Sequence, residues 1–299
     1  MTDILQAIVA DKRIEVARQK EAIPLSALLA LRGDGVLGYN TLSMRDYLLR
    51  NRSSGIIAEF KRKSPSKGWL HPKADVGGTV YNYGKKEAAA CSVLTDSKYF
   101  GGSLSDLQIA RECTCTRTAY NFKDSYSSLY RRPLLRKDFI IDVYQLYQSR
   151  WLGADAILLI AAILTPEECL MLAETAHILG LEVLLEIHNE GELNHLNPYI
   201  DMLGVNNRNL GTFHTDIDNS FRLVEQIQAF LQKSGDVSPL LVAESGISTP
   251  QEVVNLRKAG FQGFLIGETF MKEEDPCEAL ACFIGELREL ERLQKLRAR

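Results

Sequence analysis

The sequence predicts an α/β protein, a closed (β/α)8 barrel carrying a helical N-terminal extension, and three observations predict it. After Gly55, short apolar runs alternate with longer amphipathic stretches, eight times over, to the end of the 299-residue chain. The runs are almost continuously apolar, as suits parallel strands buried on both faces. The G-x-G-x-x-G turn that would open a doubly wound sheet is missing after the first run, whereas eight such units in about 250 residues suit a closed TIM barrel.

In chain order, the first fifty residues read as helices, with Leu5, Ile8, Val9 and Val16 on one face of a charged stretch. The short runs follow at 56–60, 88–94, 133–136, 156–161, 182–187, 202–206, 240–243 and 263–266. Helical segments separate them at 75–86, 104–112, 143–152, 166–179, 190–196, 217–231 and 250–258, and a last helix runs through the charged tail after Asp275. No Pro/Gly/Ser-rich linker divides the chain. It reads as a single domain, with 1–54 as the helical extension, 55–272 as the barrel and 273–299 as a C-terminal helix.

Composition narrows the function classes. An apolar fraction of 45% and a charged fraction of 24% belong to a soluble globular protein. A net charge of −3 offers no basic face for nucleic acid. The five histidines form neither H-x-H nor H-E-x-x-H, so no metal site is expected. The six cysteines are scattered without a C-x-x-C pair and read as reduced thiols. The opening Met1-Thr2-Asp3-Ile4-Leu5 carries an early acid and no long apolar core, unlike a signal peptide. No run approaches the ~18 apolar residues of a membrane span. A cytoplasmic location without membrane or nucleic-acid partners is expected.

The chemistry should sit at the C-terminal ends of the strands, where barrels of this kind build their active sites. The first run ends Ile57-Ala58-Glu59-Phe60-Lys61, and alternation places Glu59 and Lys61 on one face. If Ala58 and Phe60 face the helices, a carboxylate and an ammonium enter the mouth. Lys137 ends the third run and Glu186 the fifth; Asn206 and Arg208, two apart, end the sixth. Glu244-Ser245-Gly246 ends the seventh and Gly267-Glu268 the eighth. A single strand-end charge is usually a solvated loop residue; polar groups on so many strands with matching parity are a site. Ser245-Gly246 and Gly267, on the last two strands, suggest backbone N–H groups that hold a phosphate. A phosphorylated small-molecule substrate follows as the preferred class.

These residues resemble the indole-3-glycerol-phosphate synthase family. The signature is Glu59-Phe60-Lys61-Arg62-Lys63-Ser64-Pro65-Ser66-Lys67-Gly68, continued by Leu135-Arg136-Lys137-Asp138-Phe139, Leu185-Glu186-Ile187-His188, Gly204-Val205-Asn206-Asn207-Arg208, Ala243-Glu244-Ser245-Gly246 and Ile266-Gly267-Glu268. The resemblance covers nearly the whole chain. It implies conversion of 1-(2-carboxyphenylamino)-1-deoxyribulose 5-phosphate to indole-3-glycerol phosphate with loss of carbon dioxide and water, without cofactor or metal. It implies Lys137 as general acid, Lys61 on the substrate carboxylate, Glu186 as acid/base for dehydration with Glu59 assisting, and Asn206 and Arg208 as orienting groups. Glu244 and Ser245 would line the pocket near the ring, and Ser64, Gly246, Gly267 and Glu268 would hold the phosphate. Phe100, Phe139 and Leu210 are candidates for apolar walls. A lysine that acts as an acid near neutrality needs a lowered pKa, which a second lysine in the mouth is expected to provide.

Two stretches depart from the family pattern. Around 113–130 the chain is longer by about a dozen residues than a short connection; this polar, tyrosine-rich segment is read as a surface insertion at the far face. Trp69-Leu70-His71-Pro72 is read as part of a mobile first loop. Among rival functions, a sugar-phosphate isomerase or epimerase would use paired carboxylates or a metal, and two lysines dominate here. A non-catalytic barrel predicts loss of a mouth residue, and Lys61, Lys137 and Glu186 are all present. A weak association with other tryptophan-pathway enzymes is compatible with the sequence.

Overall fold

Eight strands close into one parallel barrel: β1 (Ile56–Phe60), β2 (Ala90–Leu94), β3 (Leu134–Lys137), β4 (Ala156–Ile160), β5 (Glu182–Ile187), β6 (Met202–Asn206), β7 (Leu240–Glu244) and β8 (Gly263–Ile266), each paired with its sequence neighbours and β1 with β8. The computed structural model describes residues 4–31, 40–114, 130–208, 215–235 and 237–297. Leu210 and most of the tyrosine-rich stretch 113–130 lie outside the described residues. The register runs Ile57↔Ala90 between β1 and β2, Leu158↔Leu184 between β4 and β5, and Ile56↔Phe264 across the closure.

Strand alternation sorts the apolar residues into two shells. Ile57, Ala90, Leu135, Leu158, Leu184, Met202, Val242 and Leu265 fill the barrel interior. Ala58, Phe60, Val93, Leu159, Leu185, Val205, Ala243 and Ile266 face the surrounding helices. Ala58 and Phe60 therefore point outward, which turns Glu59 inward as the sequence parity requires.

The helices of the ring are α4 (Val76–Lys85), α6 (Leu104–Thr114), α7 (Val143–Leu152), α8 (Pro166–Ile178), α9 (Asp218–Ser234), α10 (Pro250–Ala259) and α12 (Pro276–Arg297). Short helices α5 (Ser97–Phe100) and α11 (Glu268–Met271) cap strand ends at the mouth. Local sequence sets the boundaries: Thr165-Pro166 and Thr249-Pro250 open α8 and α10 with capping boxes to Glu168 and Glu252. The segment expected as a helix at 190–196 is instead a 3-10 helix, Glu190–His195. It spans six residues, and His195 fixes it through ring contacts to the Glu192 and Leu164 carbonyls.

The extension embraces the barrel at both ends. It comprises α1 (Ile4–Ala22), α2 (Leu25–Leu31) and α3 (Met44–Leu49). Met44 and Leu48 join the interior cluster from below, where Arg45 N donates to Glu182 at the start of β5. Leu5 and Ile8 of α1 join the same cluster from the mouth side. Val16 packs with Leu28 and Tyr144, and Val9 of the expected apolar face is half-buried.

Candidate active site

The barrel mouth opens into a cavity of about 440 Å³. Glu59, Lys61, Lys137, Glu186, Asn206, Arg208, Glu244, Ser245, Gly246, Gly267 and Glu268 all line it, as do Phe100 and Phe139. Of the described residues expected in the site, only Ser64 is not brought there. Its hydroxyl is buried in a small hairpin, Lys63–Ser64 against Gly68–Trp69, where it accepts from Lys67 N at 3.2 Å. Ser66 and Lys67 at the tip of this hairpin line the cavity instead. The stretch read as a mobile loop thus begins in an ordered hairpin, tied down where Leu70 N donates to Arg62 O.

The charged groups form interlocked pairs. Lys61 Nζ donates to Glu59 Oε1 at 2.6 Å. Lys137 Nζ donates to Glu186 Oε2 at 3.3 Å and lies 3.8 Å from Glu244 Oε2. Asn206 Nδ2 donates to the other Glu186 oxygen at 3.0 Å, fixing the carboxylate from two sides. Arg208 reaches Ser66 Oγ at 3.1 Å and Glu268 Oε2 at 3.3 Å, spanning the mouth from β6 to both sides of the β8–β1 seam.

Burial and neighbours set the charge states. Burial alone would push Glu59 up, but Lys61 and Lys137 hold it below the usual carboxylate range. Glu186 is likewise held down, against its burial, by Lys137 and His188. Glu244 goes the other way: burial and the negative Glu186 and Glu59 push it well above the carboxylate range. The expectation that crowding by a second lysine lowers Lys137 fails. Burial does favour the neutral amine, yet Glu186, Glu244 and Glu59 outweigh it and raise the pKa. Carboxylates, not another cation, surround the ammonium.

Sequence reasoning passed over several lining groups. Ile4, Leu5 and Ile8 wall the cavity from α1; their apolar spacing was visible, but not that the helix crosses the mouth. His188, which does not line the cavity but touches Glu186, was within reach of the alternation rule, two residues beyond it. Its Nε2 lies 3.4 Å from Glu186 Oε1 and its Nδ1 3.6 Å from Glu192 Oε2. Burial lowers its pKa, but the two carboxylates prevail and raise it. Lys272, Ser248 and Thr215 complete the side where Ser245 and Gly246 turn with positive φ of 64° and 79°. Phe100 and Phe139 stand in contact, with ring centroids 6.1 Å apart, and with Leu5 and Ile8 form the apolar slot of the cavity. Among the described residues no group of three or more His, Cys, Asp or Glu side chains is placed to hold a metal ion.

Residues 5–283 match the family model described as indole-3-glycerol phosphate synthase. This chain belongs to the indole-3-glycerol phosphate synthase family. An indole-3-glycerol phosphate synthase from Bacteroides thetaiotaomicron is 50% identical over 284 residues, covering 95% of this chain and 98% of that protein. One from Laribacter hongkongensis is 39% identical, covering 94% and 98%. In fold, the chain is similar to tryptophan synthase subunit alpha from Legionella pneumophila, with a TM-score of 0.54 and 17% identity over 82% of this chain and 95% of that one. Thiamine phosphate pyrophosphorylase from Pyrococcus furiosus shares the fold at the same TM-score, with 15% identity over 82% and 99%. The mouth just described is thus that of a synthase-family barrel. Among the described residues no helix is long and apolar enough to cross a membrane.

Proposed function

We propose that the protein converts 1-(2-carboxyphenylamino)-1-deoxyribulose 5-phosphate to indole-3-glycerol phosphate, carbon dioxide and water, without cofactor or metal, in the cytoplasm. The observation that carries this reading is a lysine ammonium held on a carboxylate, Lys137 on Glu186, beside an aromatic slot in the mouth of a synthase-family barrel.

Ring closure makes the ring carbon that bears the carboxyl group attack the sugar carbonyl, whose oxygen gains negative charge and must take a proton. Lys137 is the acid. Its raised pKa keeps it charged in the resting site, and the forming alkoxide is the stronger base, so the proton moves as the bond forms. Lys61 binds the substrate carboxylate until carbon dioxide leaves and the ring regains aromaticity. The remaining hydroxyl then departs as water with a proton from the lysine pair, while Glu186 takes the proton released from carbon and Glu59 holds Lys61. Asn206 and Arg208 fix Glu186 and the sugar, and Glu244 and Ser245 bound the ring end. The phosphate is bound by the backbone of Gly246, Gly267 and Glu268, with Ser66 and Lys67 replacing Ser64. A weak association with other enzymes of the pathway is compatible with this role.

The test mixes purified protein with the substrate and follows indole fluorescence. Signal growth that is insensitive to chelator and lowered by about 10²–10⁴ in Lys137→Ala supports the assignment, the range being that of a lost general acid. Silence from folded wild type moves the weight to a sugar-phosphate isomerase or a non-catalytic barrel.

A further inference from the structure

Lys12 lies on α1, one turn beyond Ile8 and two beyond Leu5, and is only 1% exposed. Its ammonium touches three carboxylates: Asp138 at 2.9 Å, Asp96 at 3.0 Å and Glu15 at 2.8 Å. Two of these sit on the loops that shape the apolar slot. Asp96 caps α5 by accepting from Tyr99 N at 2.8 Å, and α5 ends in Phe100. Asp138 stands between Lys137 and Phe139, and accepts from Thr95 Oγ1 at 2.6 Å and Arg136 Nη2 at 2.9 Å. Alongside, the half-buried Asp11 takes Lys98 at 2.6 Å and the Tyr99 hydroxyl.

A lysine buried this deeply has a large desolvation cost, and an apolar residue would seat α1 on the barrel more simply. What the ammonium adds is direction: one charge joins two separate loop carboxylates to one helix. Arg136 already compensates Asp138 from behind β3, so the catalytic strand keeps its own anchor without Lys12. The helix has no second buried charge of this kind among the described residues.

We propose that Lys12 is a positioning residue for the substrate's aromatic ring, binding Asp96 and Asp138 together so that Leu5 and Ile8 close the slot opposite Phe100 and Phe139. The inference rests on the synthase reading and makes Lys12 the fastening that holds α1 over the slot. A substrate ring seated in the slot loses one wall when α1 lifts, while Lys137, Glu186 and Lys61 stay on their strands.

The experiment compares wild type, Lys12→Met and Lys12→Arg by steady-state kinetics on the carboxyphenylamino-deoxyribulose phosphate, at a temperature where circular dichroism shows each folded. Expected is a KM raised about tenfold or more in Lys12→Met with kcat within about threefold, the signature of lost uniform binding, and recovery of most of that KM in Lys12→Arg. An unchanged KM beside a lowered melting temperature overturns the proposal and makes Lys12 structural only. A second measurement needs no variant: indole-3-glycerol phosphate bound to wild type should slow amide exchange in residues 4–12, and unchanged exchange with product bound also overturns it. Wild-type turnover tests the synthase reading separately, so the two failures are distinguishable.

Discussion

Glu244 Oε1 is buried without a hydrogen-bond partner among the described residues, and Gly204 on the neighbouring strand gives it room. A β-carbon at Gly204 would collide with that oxygen and lie 3.2 Å from Leu184 Cδ1. Gly204→Ala should therefore cost about 1–3 kcal/mol, the usual range for overpacking, and turn the Glu244 carboxyl toward Lys137; a melting curve and a rate measurement check both. Because Glu244 binds its proton more tightly when folded, its contribution to stability is complete below the unfolded carboxylate range and is lost as pH rises through its raised folded value. Glu244→Gln removes that loss, so the variant should gain on wild type in denaturant midpoint as pH rises, and an identical pH profile would contradict the assignment. Asp138 has the opposite sign: burial raises it, but Arg136 and Lys12 pull it to about 2 from 3.8. Its contribution is present at neutrality and lost as pH falls through the window from about 4 to about 2. In Asp138→Asn the acid limb of the stability profile should flatten there.

At the scale of elements, a buried pair fixes the end of the barrel remote from the mouth. Asp155, just before β4, accepts from Leu134 N at 2.7 Å, from Leu42 N at 2.9 Å and from the Arg111 guanidinium. Arg111→Met leaves that carboxylate buried without its cation and should cost about 3–5 kcal/mol; thermal unfolding reads the loss. The strands were legible because burial on both faces writes a nearly pure apolar run, and Glu59 and Lys61 because alternation forces their side. Elements held by tertiary contacts were less so. The hairpin at Lys63–Ser64 and Gly68–Trp69 has no apolar pattern; it is tied by Leu70 N donating to Arg62 O, and the absence of a side chain at Gly101 leaves room for the Trp69 ring. The 3-10 helix Glu190–His195 depends on His195 finding a carbonyl 31 positions away. Lys12 looks like a solvated helix charge, since the carboxylates that bury it lie 84 and 126 residues further on. The pKa of Lys137 was misread for a related reason: the sequence shows both lysines, while the sum over surrounding carboxylates exists only in three dimensions.

Over the whole molecule, the chain's last helix carries a large share of the closure. Leu280, Phe283, Ile284 and Leu287 of α12 are buried against the barrel, and Arg288 and Lys86 join it by ion pairs to Glu87 and Glu278. Four such side chains contribute about 6–12 kcal/mol on burial, as much as the net stability of about 5–15 kcal/mol that holds an ordinary protein folded. Truncation after Asp275 should leave a chain that does not fold, checked by circular dichroism and solubility, and a cooperative melt from the truncated chain would refute the estimate.

The pairing of charges in the mouth has a consequence for how ligands are taken up. Glu59 balances Lys61, Glu186 balances Lys137 and Glu268 balances Arg208, while burial and its carboxylate neighbours push the Glu244 carboxyl up. The proposed substrate, with its carboxylate and phosphate, therefore brings negative charge into a cavity where three cations are already paired and Lys67 and Lys272 are the further cations that line it. His188, 3.4 Å from Glu186 and 3.6 Å from Glu192, is held by these carboxylates above its ordinary pKa and is the titratable imidazole in contact with the Glu186–Lys137 pair. Substrate capture is therefore expected to take up protons: the heat of binding should differ between buffers of unlike ionisation enthalpy, and affinity should decline as the solution turns alkaline, whereas equal heats in all buffers would contradict it. On that expectation the barrel mouth serves as an acid–base reservoir as well as a binding site.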